Sequence, residues 1–391
     1  MPYYLQMLRA PVYLDSHATT PVDPRVLEAM LPYFTQLFGN PASSSHQWGW
    51  KAQEAVEQAR RDVASLIGAT AREIIFTSGA TESNNLAIAG LAASASRDRR
   101  HIVVSAIEHK SVLEAAKSLG DWGWRVTVAP VHSDGRIDLD RLRSVVDDET
   151  LIVSVLAANN EIGVLQPTAD VAEIAHRRGA LLHVDAAQAA GKVPVDVAAT
   201  DVDLLSLTAH KMYGPKGCGA LFIRKKVSLR PLFMGGGHER GLRSGTLNVP
   251  GIVGLGRACA ICRTEMTDES ARLGALRDRL LQGLRTHLDG VVVNGSIEHR
   301  LPHNLHVSFE SVDGESLLIG ISDIAVSSGS ACASASATPS HVLQAITDDN
   351  VPAASIRFGP SRFTTAEEID YTIEKFSAVV RNLRATAPAH S

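Results

Sequence analysis

Short apolar runs alternate with amphipathic segments between residues 50 and 225. The apolar runs are "EIIF", "HIVVSA", "LIVSVLAA", "ALLHV", "DLLSL" and "GALFIR". One amphipathic segment, "WKAQEAVEQARRDVASLIG", repeats apolar residues with a helical period, as at Ala52, Val56 and Val63, and closes at Gly68. Continuous apolar runs are typical of strands buried on both faces. Their alternation with helices therefore predicts an α/β fold with a mostly parallel sheet covered by helices.

The pattern changes after a long helical stretch that runs from near Gly251 to about Leu288. The strands "NLHVSFE" and "SIRFG" then lie between helices, and the chain closes with the helix "TAEEIDYTIEKFSAVVRNL". This order predicts a smaller α+β domain, onto which the first residues fold back. We place a large domain at 18–258 and a small domain at 1–17 together with 259–391.

Composition and charge exclude several classes of protein. The chain has 391 residues, 45% hydrophobic and 20% charged, with a formal net charge of −4, as in an ordinary soluble globular protein. This balance favours neither nucleic acid nor a membrane surface as a partner. The apolar runs are far shorter than the roughly 20 residues of a membrane span, and the first residues do not form a signal peptide. We therefore expect a cytoplasmic protein.

One of the four cysteines differs from the others. Cys259 and Cys262 form a C-x-x-C without a second pair, which favours a packed helix face over a zinc site, and Cys218 leads into a strand. Cys332 instead lies in "SSGSACASASATPS", among small residues. We expect a loop that is mobile in its middle and anchored by a helix start at "TPS". A thiol on such a loop can reach a site and then carry a product away.

Polar residues follow the predicted strands at their carboxyl ends, where open α/β sheets bind ligands. "EIIF" leads into "TSGATESNN", a glycine turn whose backbone N–H groups can bind a phosphate. The later runs lead to His109, to Asp185 with Gln188, and to Lys211. A carboxylate at the end of a buried strand needs a cation or hydrogen-bond donors. The set suits pyridoxal phosphate, which a lysine amine holds and whose ring nitrogen a carboxylate keeps protonated.

The sequence resembles the group I cysteine desulfurases of the NifS/IscS type, within the class V aminotransferases. The resemblance runs from about Tyr13 to Leu383 and is carried in order by "LDSHATTPVDPRV", "FGNPASSSH", "FTSGATESNNLAI", "NNEIGVLQP", "HVDAAQAAGK", "AHKMYGPKG", "GGGHERGLRSGT" and "SSGSACASAS". It implies fold type I of the pyridoxal-phosphate enzymes, with a seven-stranded type of sheet in the large domain, and it implies a homodimer.

The resemblance also implies roles for individual residues. Lys211 matches the cofactor lysine, Asp185 the partner of the ring nitrogen, and Cys332 the nucleophile. His109 matches a catalytic histidine that stacks on the ring. The remaining matches are Asn160 and Gln188 at the ring hydroxyl, Ala80, Thr81, Thr208 and His210 at the phosphate, Thr246 at the phosphate of the neighbouring subunit, and Arg357, Asn40 and Asn160 at the substrate.

The chain departs from the family's pattern at three places. Thr208-Ala209 stands where Ser-Gly is common, which keeps the hydroxyl, and His17 occupies a position that varies. The chain ends at "RATAPAHS" without the longer tail of some relatives. We therefore do not carry over scaffold docking through that tail.

The resemblance implies that L-cysteine is converted to L-alanine while its sulfur moves to Cys332 as a persulfide. Lys211 is expected to act as the base at Cα and His109 as a proton carrier for the thiols. The acceptor would be an iron–sulfur cluster scaffold or a tRNA-thiolation protein. No resident metal site is predicted, and ligation of an iron–sulfur cluster by Cys332 would be transient.

Two other functions stay open at this point. A selenocysteine lyase or C–S lyase of the same cofactor family would not need Cys332 as a nucleophile. A non-catalytic iron–sulfur carrier would need several clustered cysteines, and the loop holds Cys332 alone.

Overall fold

The computed structural model describes residues 11–96, 98–328, 340–347, 351–352 and 354–386. Its strands are β1 (Val12–Tyr13), β2 (Ile74–Thr77), β3 (His101–Ser105), β4 (Arg125–Ala129), β5 (Thr150–Leu156), β6 (Leu181–Asp185), β7 (Leu204–Thr208), β8 (Gly219–Ile223), β9 (Val291–Val293), β10 (Leu305–Phe309), β11 (Ile324–Ala325), β12 (Ser327–Ser328) and β13 (Ser355–Phe358).

The α-helices surround these strands. They are α1 (Pro24–Met30), α2 (Pro32–Thr35), α3 (Gln47–Leu66), α4 (Ala80–Asn85), α5 (Lys110–Asp121), α6 (Leu139–Val145), α7 (Thr168–Arg177), α8 (Val249–His287), α9 (Gly314–Gly320), α10 (His341–Thr347) and α11 (Ala366–Thr386). Within the described residues, none of these helices is long and apolar enough to cross a membrane.

The predicted large sheet is confirmed. In the described part of the chain it has seven strands in the order β2-β8-β7-β6-β5-β3-β4. Only β8 runs antiparallel to its neighbours. All residues of β2, β3, β5, β7 and β8 are buried, which explains their continuous apolar sequences. The apolar pattern does not predict β4, because this edge strand is partly exposed and carries Arg125 and Thr127.

This topology collects several chain segments at one edge of the sheet. Strands β3, β5, β6 and β7 are parallel. Strand β2 points the same way, because it and β7 are both antiparallel to β8. The turns that follow these strands therefore lie side by side. The residues predicted from separate motifs are brought together for this reason.

Two hydrophobic cores meet along helix α8. The first core packs α3, α7 and the beginning of α8 against the large sheet and includes Cys259 and Cys262. The second core packs the end of α8 and α11 against the small sheet β12-β13-β10-β9, and its first residue on α8 is Leu273. The predicted division at 258/259 thus falls inside α8, with Cys259 and Cys262 on the large-domain side. We propose that the boundary lies between Cys262 and Leu273.

The first described residues pair with a strand near the end of the chain. Strand β1 pairs in parallel with β11, joining Val12 to Ile324 and Tyr13 to Ala325. Leu14 is fully buried in the second core. The next residues then cross from the small domain to the edge of the large sheet. This crossing places the segment around His17 beside the turn that carries Lys211.

Candidate active site

A cavity of about 860 Å³ lies beyond the carboxyl ends of the parallel strands. Its volume is within the range of sites that hold a cofactor or a small ligand. The predicted site residues on its wall are Ala80, Thr81, His109, Asn160, Asp185, Gln188, Thr208, His210, Lys211 and Arg357. The fold therefore joins residues from six separate sequence motifs in one space.

Two of the predicted site residues that the structure describes, Asn40 and Thr246, are not part of this wall. Asn40 is exposed, and its side chain accepts a hydrogen bond from Ala42 N at 2.9 Å in a local turn. Thr246 is also exposed. Cys332 lies outside the described residues. The roles assigned to these three residues stay predictions.

Lys211 reaches from the turn after β7 toward the N-terminal segment. Its Nζ donates hydrogen bonds to the main-chain carbonyls of His17 and Ala18, the latter at 2.7 Å. The neighbouring His210 also lines the cavity, and burial together with the charges of Lys211 and Lys216 lowers the pKa of His210 to about 4. His210 is therefore neutral near pH 7 and can accept or donate a hydrogen bond without adding charge.

Asp185 is the last residue of β6 and is only 5% exposed. Its Oδ1 accepts a hydrogen bond from Ala187 N at 2.9 Å, and its Oδ2 accepts one from Asn84 Nδ2 at 2.7 Å. Two neutral donors only partly satisfy a buried carboxylate. A protonated ring nitrogen would supply the missing charged partner, so this residue fits pyridoxal phosphate.

His109 is the N-cap residue of α5. Its Nδ1 accepts a hydrogen bond from Ser111 N at 3.1 Å and lies 2.8 Å from Ser111 Oγ. Burial lowers the pKa of His109; the charge of Asp185 opposes this effect, while those of Lys211 and Lys110 add to it. His109 is consequently a neutral imidazole near pH 7.

The turn between β2 and α4 has the form of an anion site. Gly79 has a φ of +152°, a conformation that favours glycine. It lies so close to β8 that a Cβ on Gly219 would be 2.6 Å from Gly79 Cα. Ala80 and Thr81 start α4 on the cavity wall, with no side chain capping the helix. Their backbone N–H groups, with the nearby Thr208 hydroxyl, suit the phosphate of the cofactor.

Arg357 connects the small domain to the cavity. Its Nη2 donates to Asp15 Oδ1 at 2.7 Å and its Nη1 donates to Asn160 O at 2.8 Å, while Nε is buried without a hydrogen-bond partner. Strand β13 holds the residue by pairing with β10 and β12. A guanidinium on the cavity wall fits the carboxylate of an amino-acid substrate.

His17 has a structural role that the sequence analysis did not predict. Its Nδ1 lies 3.0 Å from Gln188 Oε1, and Gln188 Nε2 donates to His17 O at 3.0 Å. Asn304 Nδ2 lies 3.1 Å from the other ring nitrogen. Burial lowers the pKa of His17 to about 3, so it stays neutral. His17 thus fixes the orientation of the Gln188 amide through contacts that no local pattern encodes.

Glu161 anchors helix α10 through Ser340. Its Oε2 accepts a hydrogen bond from Ser340 Oγ at 2.5 Å, and the same Ser340 oxygen accepts from Val342 N and Leu343 N at the start of α10. Ser340, the last residue of "TPS", therefore caps α10. Burial raises the pKa of Glu161 to about 7, although hydrogen bonding to Ser340 and the charge of Arg357 act in the other direction.

The three cysteines in the described residues are buried free thiols. Burial raises the pKa of Cys218 to about 12 and also raises the pKa values of Cys259 and Cys262. These thiols are poor nucleophiles, because the thiolate is the reactive form. They fill the large core, as the sequence analysis expects.

Comparison with known proteins agrees with this geometry. Residues 12–372 match the family model described as aminotransferase class-V. The chain is 53% identical over 386 residues to a protein named cysteine desulfurase IscS from Anaeromyxobacter sp. (strain K), an alignment that spans 98% of this chain and 96% of that protein.

Solved structures show the same architecture. A structure described as a NifS-like protein matches with a TM-score of 0.89 at 41% identity, covering 95% of this chain and 100% of that one. A structure described as SspA in complex with cysteine matches with a TM-score of 0.79 at 35% identity, covering 90% of this chain and 100% of that one.

We predict that Glu161 makes the fold less stable as the pH rises. Its pKa is about 7 in the folded protein and near 4.5 when exposed. The folded state therefore binds more protons across this interval, so the free energy of unfolding falls by up to about 3 kcal/mol from pH 4.5 to pH 7. Glu161→Gln should remove this part of the pH dependence, which urea unfolding at a series of pH values would measure.

The matched control is Glu114→Gln, which changes an exposed glutamate on the same cavity wall. This variant should keep the pH slope of the parent protein. Parallel stability curves for Glu161→Gln and the parent would contradict the assignment.

Proposed function

The chain belongs to the class-V aminotransferase family and is a pyridoxal-phosphate-dependent cysteine desulfurase, and we propose that Lys211 carries its cofactor while Cys332 receives the sulfur. One observation carries the proposal: a single cavity is lined by Lys211, by the buried carboxylate of Asp185 and by Arg357. The reaction is the conversion of L-cysteine to L-alanine, with a persulfide formed on Cys332.

The bound cofactor supplies an electron sink for the negative charge that develops on the substrate carbon. In this cavity Asp185 would hold its ring nitrogen, Asn160 and Gln188 would serve its ring hydroxyl, and His109 would contact the ring. Ala80, Thr81, Thr208 and His210 would hold its phosphate.

The protein's own residues position the substrate and move its protons. Arg357 binds the substrate carboxylate, with Asn160 beside it. Lys211 Nζ removes the proton from the substrate Cα and returns protons to the product. The Cys332 thiolate then attacks the substrate sulfur: the bond between Cβ and sulfur breaks, a sulfur–sulfur bond forms, and L-alanine is the other product.

The persulfide sulfur is passed to a protein acceptor, for which we propose an iron–sulfur cluster scaffold or a tRNA-thiolation protein. The free thiols Cys218, Cys259 and Cys262 support a reducing compartment, for which we propose the cytoplasm. Transfer of radiolabelled sulfur from the enzyme to proteins captured with it would identify the acceptor.

A homodimer completes the cofactor site in this proposal, with Thr246 reaching the phosphate of the partner subunit. Thr246 is exposed and does not line the cavity of its own chain. Large apolar side chains are also exposed, among them Phe38 at 65% and Trp48 at 49%, whose rings stack 5.0 Å apart. Exposed apolar surface of this kind supports a protein–protein interface.

Lys211→Ala should lose covalent attachment of the cofactor and all turnover, because it removes the amine to which we assign the cofactor. Borohydride reduction followed by peptide mapping would locate the attached cofactor. Lys216→Ala, which changes an exposed lysine on the same wall, is the matched control and should keep the attachment. Fixation of the cofactor to another lysine in Lys211→Ala would reject the assignment.

Cys332→Ser should separate cofactor chemistry from sulfur transfer. The variant should bind pyridoxal phosphate and still change its visible spectrum with L-cysteine, since those steps use Lys211 and the ring. Alanine production and cyanolysable sulfur should be lost, because a serine hydroxyl is too weakly acidic to replace the thiolate.

The same variant tests the buried thiols. Its native form should give almost no reaction with a thiol reagent, and denaturation should make Cys218, Cys259 and Cys262 reactive. Alanine production near the parent rate would show that Cys332 is not the acceptor and would favour the selenocysteine-lyase or C–S-lyase function.

Thr246→Ala should weaken cofactor retention without changing the oligomeric state, because a phosphate hydrogen bond is lost while the interface remains. Equilibrium dialysis and sedimentation would measure the two properties. Thr286→Ala, an exposed threonine on α8, is the control and should change neither. A fully active monomer in sedimentation would overturn the dimer proposal.

A further inference from the structure

A chain of hydrogen bonds joins Asp185 to His109 through two side chains that have no role in the proposed reaction. Asn84 Nδ2 donates to Asp185 Oδ2 at 2.7 Å and also to Ser111 Oγ at 2.8 Å. Ser111 Oγ in turn lies 2.8 Å from His109 Nδ1. The chain crosses from the end of β6 to the start of α5, with α4 between them.

The direction of each hydrogen bond follows from the chemistry of its partners. An ionised carboxylate only accepts, so the Asn84 amide must turn its amino group toward Asp185. Asn84 is fully buried and its Oδ1 has no hydrogen-bond partner, so the amide contributes to the chain only as a donor. Because Ser111 Oγ accepts from Asn84, its single proton is available for His109 Nδ1.

The main chain acts on the same ring nitrogen. Ser111 N, in the first turn of α5, donates to His109 Nδ1 at 3.1 Å. Nδ1 therefore accepts hydrogen bonds from two donors, so it is not itself protonated. The proton of a neutral His109 must then be on Nε2.

We propose that Ser111 and Asn84 are positioning residues that hold His109 as a neutral imidazole protonated at Nε2. His109 then acts from the cavity wall as a hydrogen-bond donor through Nε2 and does not accept a proton at Nδ1. This differs from the expectation that His109 carries protons for the thiols, because a ring with Nδ1 engaged by two donors has no free nitrogen to accept one. Its catalytic consequence rests on the proposed function, whereas the tautomer does not.

The charged surroundings agree with a neutral ring. Burial lowers the pKa of His109. The groups that face it are Asp185 from β6, which favours protonation, and Lys211, Lys110 and His341, which lie after β7, on α5 and on α10. The positive end of α5 also disfavours an imidazolium at its N-cap. Only Asp185 opposes these effects, and its Oδ2 is engaged by Asn84.

The test is nitrogen NMR of the full chain labelled at its histidine rings, with and without pyridoxal phosphate. His109→Gln assigns the His109 signals. We expect Nδ1 to have the shift of an unprotonated nitrogen and Nε2 that of a protonated one at pH 7. A proton on Nδ1 in the parent protein, in either the neutral or the charged ring, would overturn the proposal.

Ser111→Ala should raise the His109 pKa by roughly half a unit to one unit, because one of the two donors to Nδ1 is lost. Ser111→Thr should restore the parent value. Ser118→Ala, on the same helix but bonded to Ala115 O, is the matched control and should leave His109 unchanged. An unchanged His109 pKa in Ser111→Ala would contradict the role of the hydroxyl.

Asn84→Ala extends the test to the other hydrogen bonds between Asp185 and His109. Without the amide, Ser111 can turn its proton away from His109, so this variant should also raise the His109 pKa. The double variant with Ser111→Ala should shift the pKa by less than the sum of the single shifts, since both act through one hydroxyl. Additive shifts would show that Asn84 does not act through Ser111.

These measurements are independent of sulfur transfer. An enzyme that forms the persulfide on Cys332 but has His109 protonated at Nδ1 would refute this inference and leave the proposed function intact. An enzyme that forms no persulfide on Cys332 but has His109 protonated at Nε2 would refute the proposed function and leave this inference intact.

Discussion

The buried carboxylate of Asp185 is the constraint on which the site depends. A negative charge at the end of a fully packed strand has to be matched by donors, and the protein supplies them from the next backbone turn and from Asn84. The amide that serves Asp185 is thereby oriented, and its second proton reaches Ser111 beside His109. One electrostatic requirement at β6 thus influences groups on α4 and α5.

The small domain and the N-terminal segment supply the groups that position Lys211 and Arg357 at the site. His17 and Ala18 offer their carbonyls to Lys211, and Asp15 pairs with Arg357. The Lys211 amine, which we assign to the cofactor, and the Arg357 guanidinium, which we assign to the substrate, are therefore positioned by the same N-terminal segment. A change in how that segment lies would alter both groups together.

A buried ionic cluster connects the two hydrophobic cores beside this segment. Glu269 on α8 accepts from Lys192 at 3.1 Å, from Tyr213 at 2.8 Å and from Arg362 at 2.6 Å, and Arg362 also reaches Asp23 at 2.7 Å. Both cations lie over the Tyr213 ring, at 3.8 and 4.0 Å from its centroid. Tyr213 follows Lys211 by two residues, so the cluster ties the cofactor turn to the small domain. Removing one partner of these ion pairs by mutation would leave an uncompensated buried charge.

The sequence by itself determined the large sheet, its main helices and the motifs that carry Lys211, Asp185 and His109, because these depend on local periodicity and on residue types that follow strand ends. It did not reveal β4, whose edge position exposes polar residues. Only the tertiary structure decided that His17 orients Gln188, that Glu161 holds Ser340, and that Asn84 and Ser111 join Asp185 to His109. These contacts link residues far apart in the chain, and they form because β2, β3, β5, β6 and β7 end at one edge of the sheet.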